Sequence, residues 1–337
     1  MAIRTVTRGG TVNRRQFVRI VGGALVFVPL AGLAQKAEPV PRIGLLWIDM
    51  ASSSQLIAML REGLRARGYD VGRNISIDDR SVVNDYDALA VEAERLVREK
   101  VSVIVVYGST AVQAARKATS SIPIVMVAGG DPVRLGVAAS LARPGGNVTG
   151  FTTQSQDLAG KRLELLREIV PSMRRLAVIL YPGSASESDS LRNYQALARS
   201  LQLEVRPVEV RSPAEIEPAI MGIAAMNTQA IIVVGSTMFS AYRDRVVAAV
   251  AQLRVPAIYS NASLAEAGGL VAFAPNVLEN SFRAAVYIDK ILKGARAADL
   301  PIEQPSKWEL VINLKTAKAL GLILPPSILL RADRVIE

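Results

Sequence analysis

Short β-branched runs separated by amphipathic stretches fill most of the chain. Six runs, at residues 43–47, 103–107, 124–128, 176–180, 230–234 and 257–259, are apolar at nearly every position. That is the pattern of strands covered on both faces of a sheet. Between them, residues 55–67 place Leu56, Met59, Leu60 and Leu64 on one helical face. Residues 87–99 do the same with Leu89, Ala93, Leu96 and Val97, and 242–253 with Val246, Val250 and Leu253. Apolar strands alternating with helices of this period predict an α/β fold with parallel sheets.

The pattern occurs twice. Tyr107-Gly108-Ser109-Thr110 has a counterpart in Val234-Gly235-Ser236-Thr237, and Ile122-Pro123-Ile124 in Val255-Pro256-Ala257. Ala139-Ser140-Leu141-Ala142 followed by Gly145-Gly146 matches Ala262-Ser263-Leu264-Ala265 followed by Gly268-Gly269. The separations (43 to 176, 108 to 235, 139 to 262) stay close to one another, and the order is kept. The expectation is two similar Rossmann-like lobes with a cleft between them. Ligands of open α/β sheets sit outside the carboxyl ends of the strands, and pockets favour domain interfaces.

Composition narrows the chemistry. The 337 residues contain no cysteine and no histidine. Thiol nucleophiles, Ser-His-Asp hydrolysis, structural zinc, iron–sulfur clusters and disulfides are therefore excluded. The net charge of +10 overstates the basicity of the body. Residues 1–34 hold Arg4, Arg8, Arg14, Arg15 and Arg19 and no acid, so the remainder has 35 basic and 30 acidic residues, or +5. No basic stripe with interleaved aromatics marks a nucleic-acid surface. A nucleic-acid partner is not expected.

The N-terminus reads as an export signal, residues 1–34. Asn13-Arg14-Arg15-Gln16-Phe17 precedes an apolar run at 20–33, and Gly32 and Ala34 suit the −3 and −1 positions of a cut near Ala34. The paired arginines resemble a twin-arginine signal. The run contains Pro29 and is shorter than the ~20 residues that span a bilayer. The mature chain is expected to be periplasmic, with no stable membrane insertion.

The loops after the six strands hold hydroxyls, glycines and a few aromatics, and no acid–base pair. The candidate ligand-binding residues are Trp47, Ser53, Ser54, Tyr107, Ser109, Thr110, Gly130, Asp131, Pro182, Ser236, Asn261 and Phe273. Ser109 and Thr110 precede a helical run at 111–118; a hydroxyl there caps the helix, or the helix start holds a ligand anion. Ser236 repeats the arrangement. Asp131-Pro132 is a helix-start signal whose carboxylate could instead meet a ligand ammonium. Trp47, Tyr107 and Phe273 offer apolar packing in the crevice or in the core. Gly145-Gly146-Asn147 lacks the P-loop lysine and spacing, and is read as a turn.

From about residue 42 onward the chain resembles a family of bacterial ABC-transporter substrate-binding proteins, some of which bind aromatic amino acids. The resemblance rests on Ile122-Pro123-Ile124-Val125-Met126 and Gly130-Asp131-Pro132, and on Ser140-Leu141-Ala142-Arg143-Pro144-Gly145-Gly146-Asn147-Val148-Thr149-Gly150. Lys161-Arg162-Leu163-Glu164-Leu165-Leu166, residues 298–305 and residues 309–321 extend it. It implies the type I periplasmic-binding-protein-like fold, two lobes joined by three crossings. The first lobe is expected to comprise 40–150 plus 276–304, the second 151–275 plus 305–337. It further implies a non-enzymatic protein without cofactor or metal that delivers a small molecule, amino acid-like and with aromatic examples among relatives, to an inner-membrane ABC permease. A short peptide or an aromatic acid remains open as ligand. The alternatives are a ligand-sensing module for a membrane receptor and a secreted hydrolase or lyase. Relatives with a lipobox cysteine are membrane-anchored; with no cysteine, this chain is expected to diffuse freely.

Overall fold

The computed structural model describes residues 40–337 apart from 49–52, 83–84, 86, 154–155, 183–184 and 306. The export signal and its cleavage point lie outside the described residues. A first sheet contains β1 (Arg42–Leu46), β2 (Ser76–Asp79), β3 (Val103–Tyr107), β4 (Ile124–Ala128), β5 (Val148–Phe151) and β11 (Ile302–Glu303). A second contains β6 (Arg175–Leu180), β7 (Glu204–Glu209), β8 (Ala230–Val233), β9 (Ala257–Tyr259), β10 (Val271–Pro275), β12 (Trp308–Asn313) and β13 (Arg334–Ile336).

The sheet orders are β11-β5-β4-β3-β1-β2 and β13-β12-β10-β9-β8-β6-β7. Strands five apart in number therefore hold the same place in both sheets: 5-4-3-1-2 against 10-9-8-6-7. The repeat in the sequence is a repeat of topology. Every described pairing is parallel except β10 with β12, where Phe273 faces Leu310. Parallel neighbours need a covering crossover, and the helices supply it. The first sheet is buried between two apolar layers, one containing Ile43, Leu45, Val103 and Val105, the other Leu46, Ile104, Val106 and Met126. The second sheet has the same two-sided cover.

β1, β3, β4, β6, β8 and β9 fall within a residue or so of the six apolar runs, while the inner strands β5, β10 and β12 match none of them. The edges do not show in the apolar pattern. β2 (Ser76-Ile77-Asp78-Asp79) has no buried residue, and β7 buries only Val208 and carries Pro207, a residue that sheets tolerate at an edge. Both lack the continuous apolar run that marks a central strand. Trp47 lies just past β1 rather than in it.

Among the described residues the chain crosses between the sheets three times: after β5, after β10 and after β11. Phe151 is the last residue of β5 and stacks edge-on with Tyr287 at 5.3 Å. It therefore belongs to the first sheet, one residue beyond the boundary expected at 150. Helix α10 (Val277–Leu292) lies against α1 (Ser53–Arg65), where the Ser281 hydroxyl donates to the Leu56 carbonyl at 2.7 Å. No helix among the described residues is long and apolar enough to cross a membrane.

Candidate ligand-binding cleft

The carboxyl ends of both sheets face a common cavity of about 640 Å³, a volume suited to a small organic ligand. Residues at the ends of β3 and β4 and just beyond them line it from one side: Tyr107, Gly108, Ser109, Thr110, Gly129 and Gly130. Residues after β8 and β9 line it from the other: Gly235, Ser236, Thr237, Ser260, Asn261 and Ser263. The loops beyond strand order reversals thus meet across the gap, as topology requires.

The lobes touch across this cleft. Arg134 of the first lobe pairs with Asp189 of the second at 2.6 Å, and Arg192 pairs with the same carboxylate. Asp189 is buried. Ala241, at the end of α7 (Thr237–Ala241) in the second lobe, packs on apolar residues of the first. A β-carbon on Gly108 would stand 2.6 Å from Cγ2 of Thr237.

The local reasons for the lining differ between the two lobes. Helix α3 (Ser109–Ala118) begins at Ser109, and Gly108 occupies its cap position with φ 89° and ψ 149°. The expected cap by the Ser109 or Thr110 side chain is therefore not what forms. The Ser109 hydroxyl instead accepts from the Gly130 N–H at 2.9 Å, tying two lining loops together. Gly108 offers α3 no capping side chain, and Ser109 and Thr110 bring the positive end of the helix dipole to the cavity wall. In the second lobe Ser236 is a true cap, accepting from Met238 N–H at 3.2 Å. Asn261 caps α9 (Ala262–Glu266), accepting from Ser263 N–H at 3.0 Å and donating to the Ser240 hydroxyl at 2.7 Å. Burial pushes the Tyr107 phenol up to about 12, so it stays neutral in the cell.

Six of the twelve sequence candidates line the cavity: Tyr107, Ser109, Thr110, Gly130, Ser236 and Asn261. The other six do not. Trp47 is 1% exposed in the core of the first lobe beside Leu56, Leu60 and Tyr107. Ser53 opens α1 as a buried residue, and Ser54 is exposed. Asp131 spends one carboxylate oxygen on the amides of Val133 and Arg134, as a turn cap does. Pro182 is half-buried beyond β6. Phe273 turns its ring toward Trp308, 6.3 Å away.

The sequence pattern missed lining residues that sit on helices. Arg162 on α4 (Gln156–Ile169) and Asp189, Asn193 and Tyr194 on α5 (Ala185–Ser200) all reach the cavity. Arg162 was open to detection: it falls in the stripe of Leu158, Ala159, Leu163, Leu166 and Ile169, all buried. A charge in an apolar stripe is a departure from amphipathic order. No group of acids that could hold a metal occurs among the described residues.

Ser109→Ala is expected to lower stability by about 1 kcal/mol, since it removes one acceptor from a backbone amide. Urea denaturation checks this. If the hydroxyl also meets ligand, affinity falls by more than that stability change; unchanged affinity leaves Ser109 as a loop tether.

The sequence matches the family model described as ABC transporter substrate binding protein over residues 47–336. It is 28% identical over 265 residues to a tyrosine-binding protein of Clostridioides difficile (strain R20291), covering 77% of this chain and 75% of that one. Among solved structures, the ABC domain in complex with L-Trp from Streptococcus pneumoniae superposes with a TM-score of 0.83 at 26% identity, covering 88% of this chain and 100% of that one. A conserved domain protein from Vibrio cholerae gives a TM-score of 0.84 at 24% identity over the same shares and carries the likeness of fold.

Proposed function

Because the chain belongs to the family of ABC transporter substrate-binding proteins, we propose that it is an exported solute receptor that closes on an aromatic amino acid and presents it to an inner-membrane permease. The family is one of solute binding rather than catalysis. Its ligand class comes from the relatives that bind tyrosine and L-Trp. The observation that carries the reading is a cleft to which both lobes contribute hydroxyls, helix starts and aromatic rings. A ligand held by both lobes has a higher affinity for the closed state, and only such a difference can shift the balance between open and closed.

In this reading the lobes are 40–151 plus 276–304 and 152–275 plus 305–337. Tyr107 packs against the ligand ring. The amides of Ser109 and Thr110 face its anionic group, with Gly130 alongside. Ser236 and Asn261 serve the polar groups from the second lobe. Residues 1–34 direct export, and the mature chain works in the periplasm.

The deciding experiment is mass spectrometry of small molecules released by denaturing protein purified from the periplasm, followed by calorimetry with L-tyrosine and L-tryptophan. Release of an aromatic amino acid that rebinds supports the reading. Release of a sugar or a cation, with no heat from either amino acid, sinks it. Export is tested separately. Replacing Arg14 and Arg15 by lysine is expected to leave uncleaved precursor in the cytoplasm, whereas normal periplasmic accumulation points to the general secretory route.

A further inference from the structure

We propose that Arg162 is the counter-ion of a carboxylate on the ligand. The proposal rests on the reading of the cleft as a ligand site and adds a chemical requirement to it: the ligand carries an acid group that the second lobe grips.

Arg162 is 7% exposed and lines the cavity. An arginine side chain stays charged under all ordinary conditions, so its burial removes a full positive charge from water. That is costly unless an opposite charge lies nearby. No carboxylate among the described residues forms an ion pair with it. The Arg162 Nε donates to the Phe273 carbonyl at 2.8 Å, and Nη1 donates to the Tyr194 hydroxyl at 3.2 Å. Both partners are neutral, and together they take two of the five N–H donors of the guanidinium.

The other charged groups on the cavity wall are accounted for. Asp189 pairs with Arg134 and Arg192. Glu266 and Glu309 share Arg334, and Glu279 pairs with Lys307 at 3.3 Å. Glu62 is exposed to water. Arg162 is thus the buried charge of the described lining without an ion-pair partner. Its two neutral partners also fix the guanidinium: Phe273 lies on β10 and Tyr194 on α5, so the plane is held from two elements before ligand arrives. A fork held this way suits a carboxylate.

The placement also has a consequence for closure. Arg162 belongs to the second lobe, while the first turn of α3, with Gly108 at its cap position, belongs to the first. A carboxylate contacted from both sides favours the closed arrangement over the open one.

The test uses three probes that differ by one group each: L-tyrosine, tyramine, which lacks the carboxylate, and 3-(4-hydroxyphenyl)propionate, which lacks the amine. Calorimetry is run on wild type, Arg162→Gln and Arg162→Lys, with circular dichroism confirming that each variant is folded. In wild type the carboxylate-bearing probe is expected to bind and tyramine to bind much more weakly. Arg162→Gln is expected to lose about ten- to hundredfold in affinity for the acid, the range of a charge-assisted hydrogen bond. Arg162→Lys, which keeps the charge without the fork, is expected to fall between.

Undiminished L-tyrosine binding by folded Arg162→Gln overturns the arginine and leaves the amino-acid reading intact. Tyramine binding as tight as L-tyrosine in wild type also overturns it. Binding of the propionate but not of L-tyrosine, lost in Arg162→Gln, upholds the arginine and overturns the amino-acid reading. If none of the three binds, the molecules released from wild type and Arg162→Gln on denaturation decide. An acid present in the first and missing from the second upholds the arginine, and a released ligand without an anionic group overturns it.

Discussion

Gly108→Ala is expected to weaken ligand binding by about ten- to a hundredfold while leaving the protein folded. Two separate costs meet at this residue. With φ 89° and ψ 149°, Gly108 occupies a region that is essentially glycine's own, and any side chain there costs about 1–3 kcal/mol of strain. That cost falls on open and closed forms alike, so it lowers stability and leaves affinity untouched. The second cost acts across the cleft. The new β-carbon would stand 2.6 Å from Cγ2 of Thr237, which belongs to the other lobe and is stiff because it branches at Cβ. Overpacking of this kind costs about 1–3 kcal/mol, and it arises only when the lobes meet. Charged to the closed form alone, it becomes the stated loss of affinity. Thr237→Ser deletes Cγ2 and keeps the hydroxyl, so the double variant is expected to regain affinity but not stability. Such a cycle isolates the coupling between the two positions. A single variant of lowered stability and unchanged affinity would mean that the ligand-bound lobes do not approach one another here.

The same pair of residues shows what the sequence could reveal and what it could not. The matching Gly-Ser-Thr segments disclosed that two loops were equivalent, because strand ends and helix starts leave a compact signature. They did not disclose that the cap falls on Gly108 in one lobe and on Ser236 in the other. That difference is one residue of register, which side-chain chemistry alone does not set. The central strands β1, β3, β4, β6, β8 and β9 were legible because burial on both faces demands unbroken apolar runs. The edge strands β2 and β7 were not, since one side of each meets solvent. Trp47 and Phe273 could be placed near the ends of apolar runs, yet a ring at a strand end can turn toward ligand or toward core. Here Trp47 joins the core, and Phe273 lends its carbonyl rather than its ring to the cleft through Arg162. The helical contributors were the hardest to foresee. Asp189 and Arg134 lie 55 positions apart in sequence and meet only because two lobes do. No local pattern carries that contact.

Gly150→Ala is expected to be the most destabilising small substitution in the first lobe, at about 4 kcal/mol. Gly150 lies inside β5 with a strand on either side: it registers against Met126 of β4 and against Ile302 of β11. Its φ is 114°, which costs a side chain about 1–3 kcal/mol. A β-carbon there would fall 2.2 Å from the Met126 carbonyl oxygen and 2.7 Å from its nitrogen. Both are backbone atoms in a ladder fixed on each side by neighbouring pairs, so no rotamer change relieves the contact. Overpacking adds about 1–3 kcal/mol more. The damage should spread to the crossing beside it, because the adjacent Thr149 hydroxyl donates to the Leu300 carbonyl at 2.8 Å and so ties β5 to the segment that leads into β11. Urea denaturation followed by tryptophan fluorescence gives the size of the loss. Hydrogen exchange gives its place, with protection falling first in β4, β5 and β11 and persisting in β6, β8 and β9. A loss below about 1 kcal/mol, or exchange that rises equally in both lobes, would be incompatible with a glycine wedged between two parallel strands.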